Sequence, residues 1–222
     1  MTLNIEWLDL STSDPEALER STRRSALPDR DVRDKAFRIV SDVADRGDSA
    51  LEAYSAQFGG GQPGGVAPVP RQAIETAASQ VSADLITALE TAIKNVRACH
   101  EPQRPKTPTP VQGDGVTVER IWSPLHRVGV YVPGGRALYP SSLIMGTVPA
   151  LVAGVTEICV ATPARPDGTI HPLVLTAAAL LGITEVYAMG GAQAIAALAY
   201  GTETVRRVDK IVGPGGPWVT AG

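Results

Sequence analysis

Hydrophobic positions along this chain follow two periods, and the change from one to the other organises the sequence. Through residues 1–102 the period is helical. Asp14 before Pro15 has the form of an N-cap followed by proline at the first helical position, which predicts a short helix towards Arg24. A clearer helix is predicted over 31–46, with Val32, Ala36, Ile39, Val40 and Val43 on one face. Gly47 ends it, and Asp48 or Ser49 is the expected cap of the next helix, which carries Leu51, Tyr54 and Phe58. Residues 71–96 are helical again, with a break at 82–84 where Ser82 or Asp84 is expected to cap. Leu85, Leu89, Ala92, Ile93 and Val96 mark the face beyond that break. These helices are expected to pack as a bundle on the edge or face of the C-terminal region.

The second period belongs to strands. Pro102, Pro105, Pro108 and Pro110 mark an extended linker, and 111–121 with its Gly113-Asp114-Gly115 turn predicts a β-hairpin. Short apolar runs then alternate with helical segments: strands at 128–132, 157–161, 185–189 and 210–212, and helices at 143–153, 172–181 and 192–200. Ser141 or Ser142 is the expected cap of the first of these helices, and Pro149 is expected to bend it. Three strands run straight into glycine: Pro133-Gly134-Gly135, Gly190-Gly191 and Gly213-Pro214-Gly215-Gly216. Strands and helices in alternation imply right-handed βαβ units and a parallel sheet, which would gather all three glycine turns on its carboxyl edge. The predicted class is α/β: an incomplete Rossmann-like parallel sheet flanked by helices (103–222), preceded by a helical region (1–102).

Another glycine pattern is set aside. Residues 59–70, GGGQPGGVAPVP, hold a formal G-x-G-x-x-G at Gly59, Gly61 and Gly64. It follows a helix rather than a strand, contains Pro63 and leads into prolines, so it reads as a connector and not a dinucleotide fingerprint.

Composition narrows the classes. Of 222 residues, 44% are hydrophobic and 19% charged, the balance of a globular protein with a sizeable core. A net charge of −3 with no basic stripe gives no electrostatic case for nucleic acid. The apolar stretch 143–155 is interrupted by Gly146, Thr147 and Pro149 and is too short to span a bilayer; with no signal-peptide pattern at the start, a cytoplasmic protein is expected. Cys99 and Cys159 are too far apart for a CxxC metal site, and both are expected to be buried small hydrophobes. His100, His126 and His171 lie on separate elements without metal-ligand spacing and read as surface or capping residues.

The stretch RVGVYVPGGRALYPSS (127–142), followed by GGAQAIAALAYGTETVRRVDKIVGPG (190–215), resembles histidinol dehydrogenase, in order from about Val32 to Thr220. The resemblance implies an aldehyde dehydrogenase-like fold and an NAD- and zinc-dependent homodimeric enzyme of histidine biosynthesis. Such an enzyme oxidises L-histidinol to L-histidine through L-histidinal and reduces two NAD. From pattern alone, Tyr131 reads as a core tyrosine with a satisfied hydroxyl. Gln193 follows Gly190-Gly191 at a predicted helix N-terminus, where free amides favour an anionic or carbonyl-bearing ligand, and reads either as a donor and acceptor for such a ligand or as an ordinary exposed helix residue. The resemblance makes both cofactor contacts, because the family's tyrosine in YVPGG and its glutamine in GGAQA bind NAD.

The third contact departs from the family. Where it reads GPGN, Gly216 stands at the asparagine position and offers no side-chain hydrogen bond. The family's adjacent Glu-His pair has no counterpart, since no Glu-His dipeptide occurs, and its zinc ligands belong to later segments. The expectation is therefore a chain truncated before the family's C-terminal half, binding NAD weakly through Tyr131 and Gln193, with no catalytic or metal residue of its own. The rival is a binding or scaffold module that keeps the fold and has lost NAD. An unrelated phosphate-binding α/β protein, such as half of a barrel, is a third reading.

Overall fold

The computed structural model describes residues 9, 14–16, 28–62, 65–134 and 138–222; the helix expected between Asp14 and Arg24 falls mostly outside them. Helix α1 spans Arg30–Arg46 and buries Ala36, Ile39 and Val43, as the spacing predicts. Its solvent side carries i,i+4 pairs, Lys35–Asp31 at 2.7 Å and Arg46–Asp42 at 2.6 Å. Gly47 ends it at φ 57°, where a β-carbon is disfavoured.

Helix α2, Asp48–Phe58, follows at once, but neither Asp48 nor Ser49 caps it. Ser49 Oγ donates to the Arg46 carbonyl, and the first amide, Asp48 N, donates to Glu203 Oε2 at 2.8 Å. The cap comes from a residue far along the chain, where local sequence reasoning has no purchase. The break at 82–84 is real. Helix α3 (Arg71–Thr76) runs into a 3₁₀ turn (Ala77–Gln80), and α4 (Ala83–His100) begins after Ser82, whose side chain makes no cap bond.

Strands β1 (Val111–Gly113) and β2 (Val116–Val118) form the expected hairpin around a two-residue Asp114-Gly115 turn. It stops three residues short of Ile121. The large sheet contains β3 (Arg127–Tyr131), β4 (Glu157–Thr162), β5 (Glu185–Ala188) and β6 (Lys210–Val212) in the order β5-β4-β3-β6. Every pairing is parallel. Helices α5 (Pro140–Ala153), α6 (Pro172–Leu180) and α7 (Gly191–Tyr200) connect them, and α8 (Pro217–Ala221) follows β6. Helix α5 begins at Pro140 after Tyr139, ahead of Ser141 and Ser142, and has no side-chain cap.

Alternation along each strand sorts the core into two layers. Val128, Val130, Val160 and Val186 face α3, α4, α5 and α6, whereas Tyr131, Cys159, Ala161 and Tyr187 face α2 and α7, with Val43 of α1 in the same cluster. The four early helices therefore form two pairs on opposite faces instead of one bundle. Each pair completes a layer that the strands alone leave uncovered.

Cys159 is buried in β4 as expected. Cys99 is exposed, correcting the expectation that both thiols are buried. It lies in the last turn of α4, and every residue over 101–126 is exposed too, so no described residue covers that end. Leu85, in the first turn of the same helix, is also exposed. Among the described residues no helix is long and apolar enough to cross a membrane.

Candidate ligand site at the carboxyl edge of the sheet

From β3 the chain steps outward to β4 and β5, then α7 carries it back across the opposite face to β6 on the other side of β3. This reversal puts a switch point between β3 and β6, the place where open α/β sheets build ligand crevices. The glycine turns meet there, as the parallel reading requires. Pro163, just after β4, supports the first two of them and the connector glycine Gly60. An ideal β-carbon on Gly60, Gly134 or Gly190 would lie 3.3, 3.2 or 2.5 Å from its atoms. Gly213, at φ 140°, packs tighter still, and a β-carbon on it would overlap the Tyr131 carbonyl oxygen. No larger residue fits there without moving backbone.

Tyr131 and Gln193 are brought together around Gly191. The Tyr131 ring is 4% exposed in the α7-side core, and its hydroxyl accepts from Gly191 N at 3.3 Å. That amide opens α7 and has no acceptor within the helix. Burial pushes the Tyr131 hydroxyl pKa up, so the group is neutral at physiological pH. The pattern-based description of Tyr131, a core ring with a satisfied hydroxyl, matches this geometry.

Gln193 is different. It is 4% exposed, which excludes the exposed-helix reading, and its amide makes no hydrogen bond to another described residue. Its Oε1 lies 2.6 Å from the β-carbon position of Gly191, whose φ is 70°. Among the described residues the buried side-chain polar atoms without a hydrogen bond are Asp48 Oδ1, Arg127 Nε, Thr147 Oγ1 and Thr176 Oγ1 and not the Gln193 amide, so that amide keeps some solvent contact and its donor and acceptor are open to a ligand.

At the third turn, Gly216 sits at the N-cap position of α8 with extended backbone, and Pro217 occupies the first helical position, where proline is tolerated. No atom lies within 4 Å of a β-carbon built on Gly216, so the space for an asparagine side chain is open. The connector set aside as a fingerprint also reaches this edge: Ala164 N donates to the Gly60 carbonyl at 2.8 Å. Gly59, Gly60 and Gly61, with Tyr187, Met189 and Arg165, line a cavity of about 600 Å³ beside β5.

The histidines stay away from the crevice. His171 caps α6, its Nδ1 accepting from Leu173 N at 3.1 Å; His100 ends α4 beside Gln103, and His126 lies 3.6 Å from Glu157. Among the described residues no group of three or more His, Cys, Asp or Glu is placed to hold a metal ion.

At the opposite edge lies a network that sequence reading missed. Arg127 is buried at the start of β3 and donates to Glu157 at 3.1 Å and to Glu185 at 2.9 Å, through a second nitrogen to Glu185 as well. Arg206 donates to Glu157 at 2.6 Å, and Tyr187 OH to Glu185 at 2.8 Å. Burial opposes ionisation of Glu185, but its bonds from Arg127 and Tyr187 outweigh that and hold the carboxyl below the usual range. Burial likewise works against the Arg127 charge, and the Glu185 bond reverses it, leaving the pKa raised. Cys159, beneath this cluster, is pushed up to about 11 by burial and is a thiol at neutral pH. One sequence signal was available: β3, β4, β5 and β6 each begin with a charged residue.

Comparison with known proteins agrees with the motifs. A family model described as histidinol dehydrogenase matches residues 22–222. The chain is 44% identical to a histidinol dehydrogenase of Methanosarcina barkeri over 94% of its own length and 48% of the relative's. It is 40% identical to one of Pseudomonas aeruginosa, over 95% and 49%. A crystal structure of histidinol dehydrogenase from Elizabethkingia anophelis superposes with a TM-score of 0.83 at 32% identity, covering 94% of this chain and 48% of that one. The chain thus spans about half the length of the curated relatives it matches.

Proposed function

The chain belongs to the histidinol dehydrogenase family, a family of oxidoreductases, and we propose from that premise that it supplies the NAD-binding side of such an enzyme. The complete reaction on this reading is oxidation of L-histidinol to L-histidine through L-histidinal, in histidine biosynthesis, with two NAD reduced. A homodimer in the cytoplasm belongs to the same reading.

One observation carries the cofactor assignment: Gln193, a largely buried residue at the N-terminus of α7 whose amide makes no hydrogen bond to another described residue. It offers a donor and an acceptor beside backbone amides that favour anionic or carbonyl groups. Tyr131 supports the reading by position, since its hydroxyl shares Gly191 with Gln193. NAD bound here would supply the hydride acceptor; the chain's own residues bind and orient it. Zinc, implied for the complete family enzyme, finds no donor set among the described residues, so no step is assigned to it. No general acid or base is assigned either, and the 222 residues alone are proposed to bind NAD without turning over histidinol.

A second reading is favoured by two details: Gly216 offers no side-chain contact, and the Tyr131 hydroxyl already accepts from Gly191 N within the protein. It is a scaffold that retains the fold without NAD. A thermal-shift titration with NAD, on the natural chain and on Gln193→Ala, separates the two. Stabilisation of about 2.7 kcal/mol at a hundredfold excess over Kd is expected, with affinity roughly fivefold weaker in the variant. No shift at millimolar NAD sinks the cofactor reading and leaves the scaffold.

A further inference from the structure

Gly59 and Gly61, two of the three glycines in the formal G-x-G-x-x-G, line the cavity of about 600 Å³ beside β5. The cavity adjoins the Gln193 crevice. Gly60 on its wall packs on the same proline, Pro163, as Gly190, and Met189 on the wall leads directly into Gly190 and Gly191. Glycine is required along the connector wall, since Gly60 lies at φ 80° and Gly65 at φ 108°. That wall faces polar groups of α2. A β-carbon on Gly61 would lie 2.5 Å from Ser55 Oγ, and one on Gly65 would lie 2.7 Å from Glu52 Oε1. Neither the Glu52 carboxylate nor the Ser55 hydroxyl bonds to a described residue. Arg165 is the one cation among the described lining residues, and it is already engaged. Its Nε and Nη2 donate to Thr169 Oγ1 at 3.1 and 2.6 Å, and its guanidinium lies 3.3 Å from Asp167.

We propose that this cavity takes the adenosine end of NAD and that Glu52 makes it select NAD over the 2′-phosphorylated form, NADP. The proposal rests on the NAD-binding reading and adds to it a subsite and a specificity-determining residue. NAD is two nucleotides joined through a diphosphate, so a crevice that holds one end needs an adjoining space for the other. The cavity falls within the roughly 300–1,000 Å³ range of small-molecule sites. Leu51, Val66 and Met189 give it apolar surface for a base. Glu52 gives it a free acceptor for the 2′- and 3′-hydroxyls of the adenosine ribose, which an acidic side chain reads by hydrogen bonding. Helix α2 ends at Phe58 beside this wall, and the partial negative charge of a helix C-terminus favours donors and repels phosphate. A 2′-phosphate here would meet Glu52 and that helix end, while the guanidinium of Arg165 stays with Thr169 and Asp167. The connector glycines thus serve close approach of a nucleoside, and not the phosphate cradle of a dinucleotide fingerprint.

Calorimetric titration of the 222-residue chain with NAD and with NADP tests this, on the natural chain and on Glu52→Gln and Glu52→Arg. Glu52 is exposed, and far-UV circular dichroism and Tm establish that the variants fold. The natural chain is expected to bind NAD roughly tenfold or more tightly than NADP. Glu52→Gln should weaken NAD on the order of tenfold, the worth of one charged hydrogen bond, and narrow the gap to NADP. Glu52→Arg should turn the preference towards NADP, because a guanidinium pairs with phosphate. The ratio of the two affinities is the deciding readout, since a merely structural role would weaken both dinucleotides alike. NAD binding with no preference over NADP, or with a preference that neither variant moves, overturns the proposal and leaves the cofactor reading intact. A natural chain that binds neither dinucleotide overturns both.

Discussion

At the amino edge of the parallel sheet each strand opens with a charged residue, and three of them, Arg127, Glu157 and Glu185, are tied into one network with Arg206 and Tyr187. At the carboxyl edge the same strands run into glycine and proline. There the described polar groups include backbone amides, Thr162, the Tyr131 hydroxyl and a glutamine amide that has no described partner. The contrast teaches what each edge is for. Ion pairs at the amino edge tie β3, β4 and β5 together, although the buried Arg127 Nε finds no partner there. At the carboxyl edge the Gln193 amide, bonded to no described residue, keeps donor and acceptor capacity for a ligand. Arg127 and Tyr131 are four residues apart on β3, so one short strand carries both tasks.

The largest expected effect breaks the amino edge. Arg127→Met strands Glu185 and Glu157 without their buried cation and should cost about 3 kcal/mol, read as the midpoint of urea unfolding. NAD affinity, measured well below the new midpoint, should change far less. Equal loss of both would mean that the two edges are not separable.

Acid sharpens the same point. The folded-state pKa values of Glu157, Glu185 and Asp209 are all lowered. Their contribution to stability is therefore complete above the ordinary carboxyl range, and it is lost as pH falls through the depressed values. Stability measured from pH 7 down to pH 2 should hold to about pH 4.5 and then drop. In Arg127→Met the drop should be shallower, because the main partner of Glu185 has gone.

Gly213→Ala attacks the carboxyl edge through the backbone. A β-carbon there collides with the Tyr131 carbonyl in a conformation that L-residues avoid, and a loss of about 2 kcal/mol is expected by thermal unfolding. The smallest effect is a gain. Gly216→Asn enters open space on extended backbone, so Tm should move little. Calorimetric titration should find NAD bound roughly fivefold more tightly, the worth of one restored hydrogen bond. Unchanged affinity would show that the asparagine position is silent in this chain.

Much of the fold was legible because its signals are local. The run Val128–Val132, the 3.6-residue spacing of Ala36, Ile39 and Val43, and proline or glycine at the segment ends depend only on near neighbours in sequence, and each predicted element in the described region is present. The motifs around Tyr131 and Gln193 were legible too, as was the likeness to one family, because long ordered matches survive without knowledge of contacts. What failed was cover. Cys99 and Leu85 lie on the predicted apolar stripe of α4 and are exposed, because no described residue packs over the ends of that helix.

By itself, then, the sequence determined the order of helices and strands, the parallel sheet with its glycine turns, and the residue types held at the candidate site. Only the tertiary structure decided that the early helices divide between two faces, that Glu203 caps α2, and that Arg127 reaches across β4 to Glu185. It also decided that Gln193 is buried without a described partner while the valines of the hairpin are bare. The physical reason is the same in each case. Local periodicity records which side of an element is apolar, whereas burial, capping and charge pairing depend on which distant segment arrives opposite it.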